Sequence, residues 1–549
     1  MTMSESTYYW QVEASVHGGR GYAPATLEEY TAIAKALDDE ASGYDALSAS
    51  WGDAALQLQS HRTSAPMCAT LTAGDPSAVT PGHTTLSYTT LGARCTEHAA
   101  ACRRLSIELS DTASLLIRAH SLYSEAELAV RRTFTELIQA GTQWKPGHAL
   151  IGTAAVALGG LISGWVIEGK PNASWMSTST YGLQEGVMSG IGSMVGGIAI
   201  GEGMKHTDEV NAGAGKIANV SGPVKDILQG NHLDVKEVYA RTEVVRSSGS
   251  VGDAMENLRR LAEERLGKIN LDSGLEYGTV AVQRYERTDG TNAWLVTIPG
   301  TDGKADSPFG WEQNVELMSD DRERRMRADS VRMVTEAMQQ AGIGKDEPVA
   351  LIGHSQGGIV AATIASDWAD DYSIEHVVTA GSPVANHPIP EKTWVTSVEI
   401  DDELVAALDG ASNPDSDHWL TVRGHVSPAP AATPGTINDD GSCAPGTTPI
   451  YGRNAYAAAP VAGGGTDGRE ISHWIKYHQA AYSNATDLGS PALQRHEQHF
   501  QQTIAGELKE TRYFQGRMAK SDATPSLERQ RIPSPTAAPD TSGSRLEVP

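Results

Sequence analysis

The chain has 549 residues, of which 68 are acidic and 43 are lysine or arginine, so its formal net charge is −25. A chain of this length is expected to form several domains, because a single hydrophobic core stops growing well before this size. The acidic balance, with no basic cluster to offset it, repels polyanions and argues against nucleic acid as a partner. Aromatic residues make up only 6% of the chain while there are 56 glycines, which favours packed helices and loops over a β-sandwich.

Residues 1–145 carry helical patterns, and we expect them to form an all-α helical hairpin domain. The capping box Thr26-Leu-Glu-Glu29 predicts the start of the first helix. The second helix is predicted by an apolar stripe that runs at helical spacing from Leu105 to Leu137. A stretch rich in proline, glycine and threonine, at 64–92, separates the two helices.

Two short motifs in this region resemble those of the WXG-type helical hairpins of actinobacterial type VII secretion substrates. The pair Trp51-Gly52 lies near the end of the first helix, and Tyr123 and Glu127 stand four residues apart in the second. The N-terminus has no basic region followed by an apolar run, so export by an ordinary signal peptide is not expected. The resemblance implies an exported or cell-envelope protein of an actinobacterium, and a cytoplasmic location is the alternative.

A glycine-rich apolar segment at 146–204 contains two uncharged runs, 149–167 and 186–201. Both have small residues four apart, such as Gly160 and Gly164, and this spacing lets helix backbones approach closely. We therefore predict a second helical hairpin. The first run just reaches the length of about 20 residues that a membrane span needs, and the second falls short. Membrane insertion and burial within a soluble protein are both left open.

The chain after residue 204 is predicted to form a linker, one large domain and a tail. Residues 205–235 are polar and lack a sustained period, which predicts a linker. Residues 516–549 have too little apolar surface to order themselves, so we predict a disordered tail. Between them, in 236–515, strands alternate with helices, which is typical of an α/β domain with a mostly parallel sheet. Its segments VAVQRYE and AWLVTIPG predict a hairpin, and PVALI predicts a strand that is covered on both faces.

The motif Gly353-His-Ser-Gln-Gly357 follows the PVALI strand and precedes an apolar helix. A serine alcohol attacks a carbonyl only when a base removes its proton. The serine must therefore project from the end of the sheet, where the substrate and the base can both reach it. A sharp strand-to-helix turn presents Ser355 in this way, and Gly353 and Gly357 leave room for it. The Gln356 N–H then points at a developing oxyanion. This tight turn is the nucleophile elbow, and His354, which also belongs to it, is expected to line the site.

An oxyanion hole needs a second N–H, from the loop that follows an earlier strand. The stretch Val296-Thr-Ile-Pro-Gly-Thr301 ends a predicted strand in this manner. The backbone N–H of Thr301, next to Asp302, is therefore the second candidate donor.

The motifs IPGT, GHSQGG and VVTAGSPV together resemble an α/β-hydrolase of the bacterial lipase/esterase type, over roughly residues 236–510. The resemblance implies that the catalytic residues follow one another in the order serine, acid, histidine. It implies no metal and no cofactor.

The acid is expected directly after the strand WVTSVEI, where Asp401, Asp402 and Glu403 stand together. The spacing in relatives favours Glu403, with Asp402 nearly equivalent and Asp401 also possible on the sequence. The base is expected in a loop before the last helices, where ISHWIKYH offers His473 and His478. His473 precedes the helical run and is preferred, because His478 would lie inside a helix.

These residues predict a serine hydrolase that cleaves carboxylic esters or acyl lipids through an acyl-enzyme. The alternative is a secreted or membrane-interacting effector whose hydrolase fold is a catalytically silent platform. The expected partners are an ester or lipid substrate and, through the front half of the chain, secretion machinery or a membrane.

Overall fold

The computed structural model describes residues 10–19, 24–64, 88–120, 209–429, 436–437, 443–444, 458–462, 468–470 and 472–520, together with Leu122, Gly169 and Met188. The chain divides into two compact units. One is Tyr22–Leu122, and the other combines Met1–Gly21 with Tyr123–Pro549.

The strands are β1 (Trp10–Gly18), β2 (His232–Val238), β3 (Thr279–Glu286), β4 (Asn292–Ile298), β5 (Pro348–His354), β6 (Ser373–Ala380), β7 (Trp394–Ile400), β8 (Trp419–Pro428), β9 (Thr436–Ile437), β10 (Cys443–Ala444), β11 (Ala459–Pro460) and β12 (Glu507–Ala519). The helices are α1 (Pro24–Ser64), α2 (Tyr88–His120), α3 (Glu209–Gln229), α4 (Val251–Glu264), α5 (Glu312–Leu317), α6 (Arg322–Arg327), α7 (Asp329–Ala341), α8 (Gln356–Asp367), α9 (Ile475–Asp487) and α10 (Pro491–Thr503), with a 3₁₀ turn at Ala406–Asp409.

Three predicted features lie outside the described residues: the Tyr123 and Glu127 motif, almost all of the apolar segment 146–204, and the tail from residue 521 onward. Among the helices in the described ranges, none combines the length and the hydropathy that a bilayer span requires.

The smaller unit contains a pair of antiparallel helices. Contacts pair early residues of α1 with late residues of α2: the Tyr30 ring stacks on His120 with centroids 4.3 Å apart. Further along α1, the Ser48 hydroxyl donates to the Ala99 carbonyl at 2.9 Å. The two helices thus run in opposite directions, as the sequence pattern predicts for a hairpin.

Within the described residues, the larger unit is built on a sheet of ten strands in the order β11-β1-β8-β7-β6-β5-β4-β3-β12-β2. The five central strands, β4 to β8, are parallel to one another. Antiparallel strands complete both sides: β1 pairs with β8, and β3 pairs with β4 as the predicted hairpin. This is the mostly parallel α/β sheet that the sequence predicts.

Helices cover both faces of this sheet. The core on one face combines α3, α7 and α8, with Val331 and Val360 fully buried. The core on the other face combines α4, α9 and α10, with Leu258 fully buried and Tyr477 1% exposed. Residues 348–353 of β5 are all buried, which confirms the prediction of a strand covered on both faces.

Strand β1 corrects the prediction that residues 1–145 belong to the helical hairpin domain. Apolar and polar residues alternate along β1, and Trp10, Val12, Ala14 and Val16 are all buried in the sheet core. The strand pairs along its length with β8. A period of two over only nine residues is a short signal, and its partner strand lies about 400 residues away in sequence, so the sequence alone did not reveal the pairing.

The segment predicted as a linker, 205–235, is ordered over most of its length. It contains α3, whose Val210 side chain joins the core of the larger unit. The Lys225 ammonium lies 2.9 Å from the Glu316 carboxylate and 3.0 Å from Asp329. The helix is held by these buried ion pairs with distant segments, which a local polar composition does not indicate.

The predicted domain boundaries at 236 and 515 also shift. Strand β2 begins at His232, and β12 extends to Ala519. The two strands are paired over seven residues, from Tyr513 opposite Val238 to Ala519 opposite His232. The pairing orders the ends of both strands, which the sequence placed in a linker and a tail.

A chain of polar side chains joins β6, β7 and α10. The Thr396 hydroxyl lies 3.0 Å from His376 Nε2 and 3.2 Å from His496 Nδ1. His376 Nδ1 lies 3.1 Å from His499 Nδ1, and the His499 ring stacks on Trp394 at 4.4 Å. Burial lowers the pKa of His496 to about 3 and lowers the pKa of His376 well below the usual histidine value. Both imidazoles are therefore neutral in the folded protein at pH 7.

We expect Val12→Ala to lower the free energy of unfolding of the larger unit by about 2 kcal/mol, because it removes two buried methyl groups from the sheet core. Glu13→Gln, on the exposed side of the same strand, should change it by less than about 0.5 kcal/mol. Urea unfolding followed by tryptophan fluorescence measures both. Equal effects would argue against the placement of β1 in the sheet.

The buried histidines should make the protein less stable in mild acid. Below about pH 6.5 the unfolded state binds a proton at His496, whereas the folded state binds one only near pH 3. The contribution of His496 to the free energy of unfolding is therefore complete above pH 6.5 and is lost as the pH falls. Each such group contributes a slope of about 1.4 kcal/mol per pH unit. We expect His496→Gln to reduce the slope between pH 6 and pH 4.5 by about this amount in urea unfolding. An unchanged slope would show that His496 is not a buried neutral imidazole.

Candidate active site

Ser355 lies on a strained turn between β5 and α8. Its φ is 54° and its ψ is −124°, and it is one of two non-glycine residues with positive φ in the described part of the chain. Its amide donates to the Ala380 carbonyl at 2.8 Å, and its own carbonyl accepts from the Ser382 hydroxyl at 2.8 Å. Strain of this kind persists only where neighbouring groups hold the backbone, and it is concentrated at functional sites.

The two glycines of the motif are required by close backbone contacts. A Cβ at Gly357 would lie 2.0 Å from the Ile298 carbonyl oxygen, at the end of β4. A Cβ at Gly353 would lie 2.2 Å from the carbonyl of Gly357. No side chain fits at either position, so a lack of space explains why both residues are glycine.

The two predicted oxyanion donors flank Ser355. Gln356 is the first residue of α8, and a Cβ on Gly300, which precedes Thr301, would lie 3.1 Å from the Ser355 Cβ. In the described part of the chain, neither the Gln356 nor the Thr301 amide nitrogen has a hydrogen-bond acceptor. The positive end of the α8 dipole lies at the same point, so this position favours a negative charge.

Both candidate histidines contact the same carboxylate. Glu403 Oε2 lies 2.7 Å from His473 Nδ1, and Glu403 Oε1 lies 3.0 Å from His478 Nε2. Oε1 also accepts from the Ile400 amide at 3.2 Å. The side chains of Glu403 and His478 are fully buried, whereas His473 is 22% exposed. His473 is therefore the imidazole that a substrate can reach.

Glu403 is ionised at neutral pH. Burial by itself would raise the pKa of this carboxyl, but the charge and hydrogen bonds of His478 and His473 outweigh burial and lower the pKa well below its usual value. A carboxylate that stays charged holds the adjacent His473 Nδ1 as a donor, which leaves Nε2 of the same ring to accept a proton.

The other two candidate acids have different partners. The Asp402 carboxylate accepts from the Ser472 hydroxyl at 2.8 Å and forms a buried ion pair with Arg469. Asp401 lies 3.7 Å from the Arg423 guanidinium. The structure thus brings Glu403, and neither aspartate, to the histidines.

His354 connects the turn to His473. Its Nε2 lies 2.8 Å from the His473 carbonyl oxygen, and the two rings are 4.9 Å apart. Since a carbonyl oxygen only accepts, Nε2 of His354 carries the proton. Burial and the neighbouring imidazoles of His473 and His478 hold the pKa of His354 well below the usual value, so its ring is neutral. It anchors the loop that carries His473.

Two contributors to the site, Gly381 and Ser382, were missed by the sequence analysis, and a third, His478, was assigned only as an alternative. His478 was considered only as a substitute for His473, yet both bind Glu403. Gly381 has a φ of 59°, and a Cβ there would lie 2.6 Å from His478 Nε2. Ser382 supports the Ser355 carbonyl. The run Gly381-Ser-Pro directly after β6 is the signal that could have indicated a tight turn at the sheet edge.

Glu403, His473 and His478 also form a group of possible metal ligands, whose donor atoms lie within 4.8 Å of one another. One carboxylate and two imidazoles are a donor set that zinc uses. Here each of the two imidazoles is hydrogen-bonded to a different carboxylate oxygen, an arrangement that positions a base without any ion.

Comparison with known families gives one match. Residues 313–416 match the family model described as the PGAP1-like alpha/beta domain, a family of the α/β-hydrolase type. The matched stretch includes Ser355 and Glu403 and ends before His473. The C-terminal half of the chain therefore contains an α/β-hydrolase-type domain. Searches of curated proteins and of solved structures found no significant match.

Proposed function

We propose that the chain is a serine hydrolase that cleaves carboxylic esters or acyl lipids. The proposal rests on the strained turn at Ser355, whose neighbour His354 binds the His473 carbonyl, and on the hydrogen bond between His473 and the buried Glu403. The match of residues 313–416 to an α/β-hydrolase-type family supports a hydrolase in general terms.

In this proposal His473 Nε2 takes the proton of Ser355 while the serine oxygen attacks the ester carbonyl carbon. The amides of Gln356 and Thr301 stabilise the negative charge on the carbonyl oxygen. The imidazolium of His473 then protonates the departing alkoxide, which leaves an acyl-enzyme. Water, deprotonated by His473, attacks the acyl-enzyme and releases the acid and free Ser355. Glu403 holds the His473 ring in the required tautomer throughout.

The front half of the chain is a separate proposal. The helix pair leaves large apolar side chains exposed on both helices, among them Leu47, Leu56, Leu105 and Ile107. Such side chains suit contact with a partner protein, and secretion machinery or a membrane are the partners suggested by the sequence.

The first test is covalent labelling of the full-length protein with a fluorophosphonate probe, together with hydrolysis of short-chain p-nitrophenyl esters. Ser355→Ala should abolish labelling and lower kcat by at least about 10³-fold. The matched control is Ser366→Ala, in the helix that follows Ser355, and it should label like the wild type because the Ser366 hydroxyl donates locally to the Thr363 carbonyl at 3.1 Å. Absence of label on the wild type would favour the silent-platform alternative. Hydrolysis that survives Ser355→Ala and is lost with EDTA would contradict a serine mechanism.

The acid assignment is tested by a matched pair of substitutions in adjacent buried carboxylates. Glu403→Gln should lower kcat by about 10²- to 10⁴-fold, because an amide no longer fixes the His473 tautomer. Asp402→Asn should keep kcat within about fivefold per folded molecule, but it should lower the free energy of unfolding by about 3 kcal/mol, because it removes the charge from a buried ion pair with Arg469. The reverse pattern in kinetics and urea unfolding would assign the acid to Asp402.

A further inference from the structure

Arg265 lies directly behind the oxyanion loop, which we define as residues 299–311 between β4 and α5. It caps the C-terminus of α4, and its side chain is only 1% exposed. One guanidinium nitrogen, Nη1, lies 3.2 Å from Asp302 Oδ2. The other, Nη2, donates to the Gly300 carbonyl. One buried cation thus binds both a side chain and a backbone carbonyl of the same loop.

Asp302 is itself fixed from several directions. Its Oδ2 accepts from the Ser307 hydroxyl at 2.7 Å and from the Gly278 amide at 2.9 Å, in addition to Arg265. Its Oδ1 accepts from the Lys304 amide at 3.2 Å. The side chain of Asp302 is fully buried. The ion pair is therefore a rigid support, and it offers Arg265 little freedom to turn.

The geometry of a trans peptide links this support to the oxyanion hole. The carbonyl of Gly300 and the N–H of Thr301 belong to one planar unit and point in opposite directions. Gly300 packs against the Ser355 Cβ, so this peptide plane borders the position of the reacting carbonyl. Holding the Gly300 carbonyl toward Arg265 turns the Thr301 N–H the other way. If the peptide rotated, a carbonyl oxygen would replace the donor.

We propose that Arg265 is a positioning residue for the oxyanion hole, which fixes the orientation of the Gly300–Thr301 peptide and so keeps the Thr301 N–H available to the transition state. This inference rests on the proposed serine hydrolase function. It assigns the buried Arg265–Asp302 pair a role in the reaction beyond its contribution to stability.

The test compares Arg265→Met and Arg265→Lys with a matched control, Arg325→Met. Arg325 forms a second buried arginine–aspartate pair, with Nε 2.7 Å from Asp367 Oδ2. Asp367 ends α8, about 18 Å along the helix from Ser355. In the described part of the chain, the hydrogen bonds of this pair go to residues outside the oxyanion loop. Methionine removes the charge at similar size. Lysine keeps the charge, but its single nitrogen cannot bridge Asp302 and the Gly300 carbonyl in the way the guanidinium does.

The readouts are kcat and KM for a p-nitrophenyl ester, the inhibition constant of an arylboronic acid, and the thermal midpoint. The boronic acid forms a tetrahedral adduct with the serine and so reports binding of the transition state. We expect Arg265→Met to lower kcat about 10²-fold with KM changed less than threefold, and to weaken boronate inhibition by a similar factor. Arg325→Met should lower the thermal midpoint comparably and leave kcat within twofold.

Arg265→Lys decides the case in which the methionine variant does not fold. A loss of kcat of about tenfold, with KM and thermal midpoint near the wild-type values, supports the proposal. Wild-type kcat and boronate inhibition in Arg265→Lys would overturn it, and so would equal kcat losses in Arg265→Met and Arg325→Met. A wild-type protein that takes no fluorophosphonate label would instead overturn the proposed function itself, and with it this inference.

Discussion

The close approach of two backbone segments, the turn at Ser355 and the end of β4, is the constraint on which the site depends. The turn at Ser355 crosses the end of β4 so tightly that a methyl group at Gly357 would overlap the Ile298 carbonyl. Gly300, two residues after Ile298, packs near the Ser355 Cβ. Interiors this dense transmit small changes in position, which is why the proposed oxyanion hole depends on the orientation of a single peptide. The glycines permit the crossing, and hydrogen bonds from neighbouring strands maintain the strain.

A second constraint is electrostatic. Glu403 is buried between two imidazoles and a backbone amide, and a carboxylate in such a place stays charged only because these donors surround it. Its two oxygens are divided between the two rings: one binds the partly exposed His473, and the other binds the buried His478. His478 thereby holds in place the same carboxylate that binds His473. The donor atoms of Glu403, His473 and His478 lie close enough together to suit a metal ion as well, and the hydrogen bonds between them fit the proton transfer that we propose.

In this chain, elements that depend on nearby residues were predicted from the sequence, and elements that depend on distant residues were not. The β3–β4 hairpin, β5 and the turn after it were predicted from the sequence, because their patterns lie within about ten residues of one another. Strand β1 shows a clear alternation of buried and less buried residues, but its partner β8 is about 400 residues away in the sequence. Helix α3 has a polar composition, which led to the prediction of a linker. It is ordered by the packing of Val210 and by the ion pairs of Lys225, whose partners lie in distant segments of the chain.

The sequence by itself determined the strand, turn and helix around Ser355, since the steric need for Gly353 and Gly357 is local. It also limited the acid to three neighbours and the base to two histidines, but it could not choose among them, because residues separated by about 70 positions are brought together only by the fold. The tertiary structure decided these contacts: Asp402 pairs with Arg469, and Glu403 binds both histidines. It also placed Arg265, which no motif marks, behind the Gly300 carbonyl.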